Sequence, residues 1–106
     1  MRVDEILSIA DSLMVNQISE ELKLHWINEV EGRVHCEIMK AAPADFVSVN
    51  AMDHELSVPM PYAKMYLSYI LAMIAFADKE YDLYTDVMMK FERDFCEYAK
   101  FYLRTR

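Results

Sequence analysis

A single glycine, Gly32, serves the whole chain of 106 residues. Average usage of roughly 7% gives about seven in a chain of this length. Only a residue without a Cβ enters left-handed backbone conformations freely, so Gly-rich phosphate loops, Rossmann turns and two-residue β-hairpins all need several glycines at fixed places. Those architectures are excluded. The remaining reading is an all-α fold, a single domain over 1–106. Four helices are expected at roughly 3–15, 20–39, 62–77 and 79–103, with a long irregular or partly extended connection at 41–61.

The helices follow from apolar spacing. Val3, Ile6, Leu7, Ala10, Leu13 and Met14 recur at three- and four-residue steps and form one stripe. Ser19 is placed to cap the second helix, in which Leu22, Trp26, Val30, Val34 and Ile38 step by four. Repeated steps of four drift around a helix, so this face is expected to slant. Gly32 lies inside that helix, where it costs roughly 0.5–1 kcal/mol against alanine, and the expected compensation is close approach of another backbone. All three prolines, Pro43, Pro59 and Pro61, fall in the connection, whose β-prone pieces 46–49 and 56–58 could be extended or form a loose pair. A connection of about 20 residues is often functional, which makes this segment a first candidate for a partner contact.

The third helix is expected to start at Tyr62, with Pro61 in its first turn, and is nearly apolar all round. A monomer of this size is expected to cover such a helix only with difficulty. Asp78 is the expected N-cap of the fourth helix, where Tyr81, Tyr84, Met88, Phe91, Phe95, Tyr98 and Tyr102 alternate steps of three and four. Packing into a bundle or against a second subunit is expected of these aromatics. The ladder Tyr62, Tyr66, Tyr69, with Met73 a turn further on, fits the core of a monomer or an interface about equally, the interface because a phenol suits a surface dry at one end and wet at the other.

Charge limits the partners. The formal net charge is −7, and all of it arises before residue 62, since 62–106 carry seven basic and seven acidic side chains. Such a balance argues against gripping nucleic acid or an anionic membrane. No apolar run is long enough to span a bilayer, and the N-terminus has no uninterrupted apolar core of a secretory signal. Cys36 and Cys96 are therefore read as reduced thiols, Cys96 as buried helix filler.

Chemistry-bearing patterns are sparse. Glu21 with His25 and Glu31 with His35 lie on one helix and lack the second pair that a di-iron bundle needs, so they read as a solvated face. His35-Cys36 lacks the further ligands of a zinc site. Asp53-His54-Glu55 reads as a polar loop tip, for want of a nucleophile with an oxyanion-hole loop. No catalytic residue, metal or cofactor is expected.

Three stretches carry a resemblance. They are VDEILSIADSL followed by ISEELKLHWINEVEGRV, then LSVPMPYAKMYLSYILAMIAFADKEYDLY, and finally FCEYAKFYLRTR. The most specific positions are Trp26, Glu29 and Gly32 in the second helix, and Pro59, Pro61 and Ala72 around the third. The chain resembles the small head-tail connector proteins of long-tailed bacteriophages and prophages, with Asp78-Lys79 where members commonly carry Asn-Gly. The resemblance implies a structural virion protein that is not an enzyme. Such a protein would form a homo-oligomeric ring, of roughly a dozen copies in the family, dock on the phage portal protein and extend the DNA channel toward a tail-side completion protein. DNA would pass through without specific binding. The implied location is the head-tail interface of the virion, with assembly in the bacterial cytoplasm. Tyr62, Tyr66, Tyr69, Met73, Phe91, Phe95, Tyr98 and Tyr102 are the expected subunit or portal interface. A small intracellular helical adaptor or regulator, dimerising through its last helix, is the alternative.

Overall fold

The computed structural model describes residues 1–105 and is all-helical. Helix α1 spans Val3–Leu13, α2 Glu20–Arg33, α3 Lys64–Ala77 and α4 Tyr81–Arg104. Helix α3 is the hub, packing against each of the other three and most extensively against α4. From Met65 to Ala75 no α3 residue is exposed. The subunit thus covers its most apolar helix by itself, contrary to the expectation that it could barely do so.

Ser19 caps α2 as expected, its hydroxyl accepting the Leu22 N–H at 3.2 Å. The end of that helix departs from expectation. Val34–Ile38 form a single π turn, closed by the Met39 N–H donating to the Val34 carbonyl at 3.0 Å. In an α-helix four residues overshoot a full turn by about 40°. A wider turn rotates less per residue and removes that overshoot, so Val30, Val34 and Ile38 all stay buried instead of slanting away.

The buried face of α2 also contains two charges, one of which, Glu31, was expected on a solvated face. Lys23 and Glu31 sit four residues either side of Ile27, within the apolar stripe, and both are buried. The Lys23 ammonium donates to Asp11 of α1 at 2.7 Å. Burial pushes the Asp11 carboxyl upward, but hydrogen bonds from Lys23 and Asn16 outweigh it and hold the group below its ordinary value.

The expected limits of the other helices shift by one to two residues. Helix α1 stops at Leu13, with Met14 extended. Tyr62 belongs to a turn before α3, and the Met60–Pro61 peptide bond is cis. Asp78 ends α3 and does not cap α4. Lys79 follows at φ 62°, its N–H donating to Phe76 O at 3.0 Å, while the Glu80 N–H donates to Ala75 O at 2.9 Å. This pair of bonds is the Schellman closure usually built on glycine. Lys40 takes the same left-handed conformation after the π turn. Among the described residues the chain therefore enters left-handed space twice, each time without a glycine, despite the strain on a residue with a Cβ.

Gly32 itself does not receive a backbone. A Cβ built there would lie 3.8 Å from Cε2 and 4.0 Å from Cδ2 of the Phe46 ring, which is ordinary contact. The expected backbone approach is replaced by an aromatic edge from the connecting segment. Gly32→Ala should accordingly be stabilising by about 0.5–1 kcal/mol through helix propensity, measured by thermal or denaturant unfolding. A loss of stability would show that the ring cannot accept the methyl group.

Candidate functional site

The 41–61 connection contains no strand, only a short 3₁₀ turn at Pro43–Asp45 and an isolated bridge between Arg2 and Glu55. Its β-prone pieces do not pair with each other. Side chains of the helices hold them instead. The Asn28 amide grips one residue at both ends of its peptide unit, accepting the Val49 N–H at 2.6 Å and donating to the Val49 carbonyl at 2.9 Å. A side-chain amide offers the donor and acceptor that a neighbouring strand would supply.

The second attachment centres on Glu31, whose residue surface is 1% exposed. One carboxylate oxygen accepts the Ser57 hydroxyl at 2.8 Å and the Ser57 N–H at 3.2 Å. The other accepts the Tyr66 hydroxyl of α3, and Tyr66 in turn accepts the Val58 N–H at 3.1 Å. Burial, then the Glu31 charge, pushes the Tyr66 phenol far above its ordinary range, so it stays a donor. The His35 ring stands 3.0 Å from the Ser57 oxygen. Since Ser57 commits its proton to Glu31, it accepts from His35 Nε2–H. Serine, histidine and carboxylate meet here, but the carboxylate bonds serine directly and the imidazole is a donor to it, the wiring of a clamp.

The clamp floors a cleft of about 410 Å³ between the π turn and the connection, lined among others by His35, Phe46, Asn50 and His54. The connection continues to the chain start, where His54 O and Met52 O accept the Val3 and Asp4 N–H groups at 3.1 and 2.8 Å. These carbonyls satisfy α1 donors that have no partner within the helix. The Asp53-His54-Glu55 tip is thus the cap of α1, and Glu55 pairs with the terminal ammonium at 3.1 Å.

The predicted aromatic interface lies mostly inside the subunit. Tyr66, Phe91, Phe95 and Tyr98 are buried, which removes them from any surface a neighbour could touch. Tyr62 is half-buried against Tyr98 and Phe101, with ring centroids 5.4 and 4.9 Å apart. Tyr69, also half-buried, donates to Glu29 at 3.1 Å, and burial followed by the Glu29 charge pushes its phenol up to about 12. Met73 and Tyr102 pack partly buried against the core. The polar partner each α3 phenol needed came from α2 carboxylates, Glu31 for Tyr66 and Glu29 for Tyr69.

Trp26 and Ala72 are buried, while Pro59 and Pro61 are exposed in the turn leading to α3. Arg33 lies over Phe95 at 4.4 Å and Phe91 at 5.7 Å and donates to Glu92 at 3.0 Å, joining α2 to α4. Its hydrogen bond to Glu37 leads the interactions that raise its already high pKa.

Of the two Glu/His pairs, Glu21 and His25 are exposed as expected, whereas Glu31 is the buried clamp. Among the described residues no cluster of three or more His, Cys, Asp or Glu is placed to hold a metal ion. Cys96 is exposed, correcting its assignment as buried filler, and both cysteines are free. No described helix is long and apolar enough to cross a membrane.

The surface that sequence reasoning missed is the outward side of the molecule's apolar residues. Leu13, Val15, Phe76, Tyr81, Met89 and Leu103 are all exposed. The signal for two of them was available, since Met89, Cys96 and Leu103 recur at seven-residue steps opposite the buried aromatic seam.

Comparison with protein-family models, curated proteins and solved structures gives no match for this chain.

Truncating the clamp should free the connection. Glu31→Ala is expected to cost about 2–4 kcal/mol by leaving Ser57 and Tyr66 donors without their acceptor, and Tyr66→Phe about 1–3 kcal/mol. Denaturant unfolding measures both, with faster amide exchange at Ser57 and Val58 as the local signature. Unchanged exchange there would mean that other contacts hold the connection.

Proposed function

We propose that the chain is a structural assembly subunit, a ring-forming head-tail connector that docks on a phage portal and lines part of the DNA path. The observation that carries the reading is the placement of exposed apolar side chains in separate regions. Leu13 and Val15 lie around the α1–α2 turn, and Met89 and Leu103 lie along the outward side of α4. A subunit in a ring presents two different surfaces, one to each neighbour. The acidic half before residue 62 fits a channel component over which DNA slides, because holding phosphate takes lysine and arginine. The sequence resemblance over the three stretches named above supports the same reading, and the all-helical subunit is compatible with it.

For the alternative, a small helical adaptor or regulator dimerising through its C-terminal helix, burial of Phe91, Phe95 and Tyr98 weighs against the aromatic seam of α4 as the contact. That seam is occupied by α3. The partners under the connector reading are further copies of the chain, the portal and a tail-side completion protein, with no cofactor.

Sedimentation and negative-stain imaging at rising concentration, alone and with portal protein from the same genome, test the proposal. Annular oligomers, or a complex with the portal, are expected. A compact monomer under all conditions that does not bind the portal would overturn it.

A further inference from the structure

We infer that the stretch 46–50 of the connection is an open strand edge, which takes a basic, extended segment of another protein as a partner strand in the cleft above the Glu31 clamp. A strand dock of this kind serves an adaptor as well as a connector and does not rest on the reading above.

Between Phe46 and Asn50 the chain makes no helix, turn or bend, and Phe46 enters the stretch in an extended conformation. Asn28 takes both the N–H and the C=O of Val49. In an extended chain successive residues turn these groups to opposite sides, so Ser48 and Asn50 direct theirs away from Asn28. Asn28 lines a groove on one side of the stretch, with Gly32 and Pro43, whereas the cleft on the other side is lined by 46–50 without it. Neither the N–H nor the C=O of Ser48 or Asn50 has a hydrogen-bond partner among the described residues. The helix therefore holds one edge of the stretch through a side chain and leaves the other edge free over a cleft of about 410 Å³. A row of unpaired backbone groups is a template for a further strand.

The side chains suit that use. Phe46, Val47 and Val49 favour extended backbone, and no proline interrupts them. Val47 is exposed, available for a cross-strand neighbour to cover. The Phe46 ring lies against Gly32 and His35, and Asn28 holds Val49, so both ends of the stretch are fixed before a partner arrives. Such preorganisation lowers the ordering cost of docking.

Charge selects the occupant. Residues 41–61 include Asp45, Asp53 and Glu55 and no lysine or arginine. Asp45 lines the cleft, and neither it nor Asp53 forms an ion pair among the described residues, while Glu55 is engaged by the terminal ammonium. The same stretch of a second copy, laid antiparallel across Ser48, would bring two acidic connections together, which like charge disfavours. A foreign strand carrying lysine or arginine meets attraction instead.

Nuclear magnetic resonance on the isotope-labelled full chain tests the dock, with the end-blocked peptide Lys-Val-Lys-Val-Lys-Val as probe. At millimolar peptide the Ser48 and Asn50 amide signals should shift and exchange more slowly, while Val49, already bonded to Asn28, changes little. The peptide with glutamate in place of lysine should bind more weakly. Ser48→Pro removes one edge donor and should weaken binding about tenfold, whereas Ser48→Ala keeps the N–H and should bind as the unaltered chain does. Circular dichroism checks that both variants retain the helical signal.

Absence of shifts at Ser48 and Asn50 would overturn the inference, as would equal binding of the glutamate peptide or undiminished binding by a folded Ser48→Pro chain. Shifts of the same two amides on concentrating the chain alone would also overturn it, by making a second copy the occupant.

Discussion

The buried Glu31 carboxylate is the constraint on which the rest of the subunit depends. Removing a charge from water is costly unless donors replace the lost hydration, and Ser57 and Tyr66 supply them. Those two residues belong to the connecting segment and to α3. Satisfying one side chain of α2 therefore fixes three parts of the chain relative to each other. The Tyr66 oxygen passes the constraint on by accepting from Val58, and Ser57 does so by accepting from His35. Asn28, one turn earlier, ties Val49 to the same helix.

This arrangement explains how a segment with no regular structure becomes part of the fold. Val49, Leu56 and Val58 are buried in the core, yet no strand ladder serves the intervening backbone. Helix side chains and the start of α1 take its place. The segment repays α1 by accepting two of its first N–H groups, so the N-terminal helix is completed by residues some fifty positions later. On the other flank, α3 and α4 join through aromatic packing, with Arg33 spanning from α2 over Phe91 and Phe95.

Much of the helical framework was legible because apolar residues recur at helical steps and the glycine count excludes the main rivals. Helix ends were less legible. Asp78 has the composition of an N-cap, but the hydrogen bonds of Lys79 and Glu80 back to α3 take precedence. The π turn was hidden because a pattern of fours is equally compatible with a slanting α-helical face. Tyr66 and Phe91 fit a core or an interface equally well on spacing alone, and only their burial separates the two. Glu31 left a trace that was not used, since it stands between Ile27 and Val34 on the apolar stripe. A carboxylate there has to be either exposed by distortion or deliberately paired.

The two left-handed lysines give the scarcity of glycine an electrostatic side. Lys40 and Lys79 each stand immediately beyond a helical C-terminus, where unsatisfied carbonyls leave partial negative charge. A glycine there would relieve backbone strain and contribute no charge. A lysine accepts strain on the order of 1 kcal/mol and recovers part of it through attraction to the helix end. Salt screens such an attraction, so a small part of the stability of these two helix ends is expected to fall with ionic strength, a part that a glycine in the same place would not contribute.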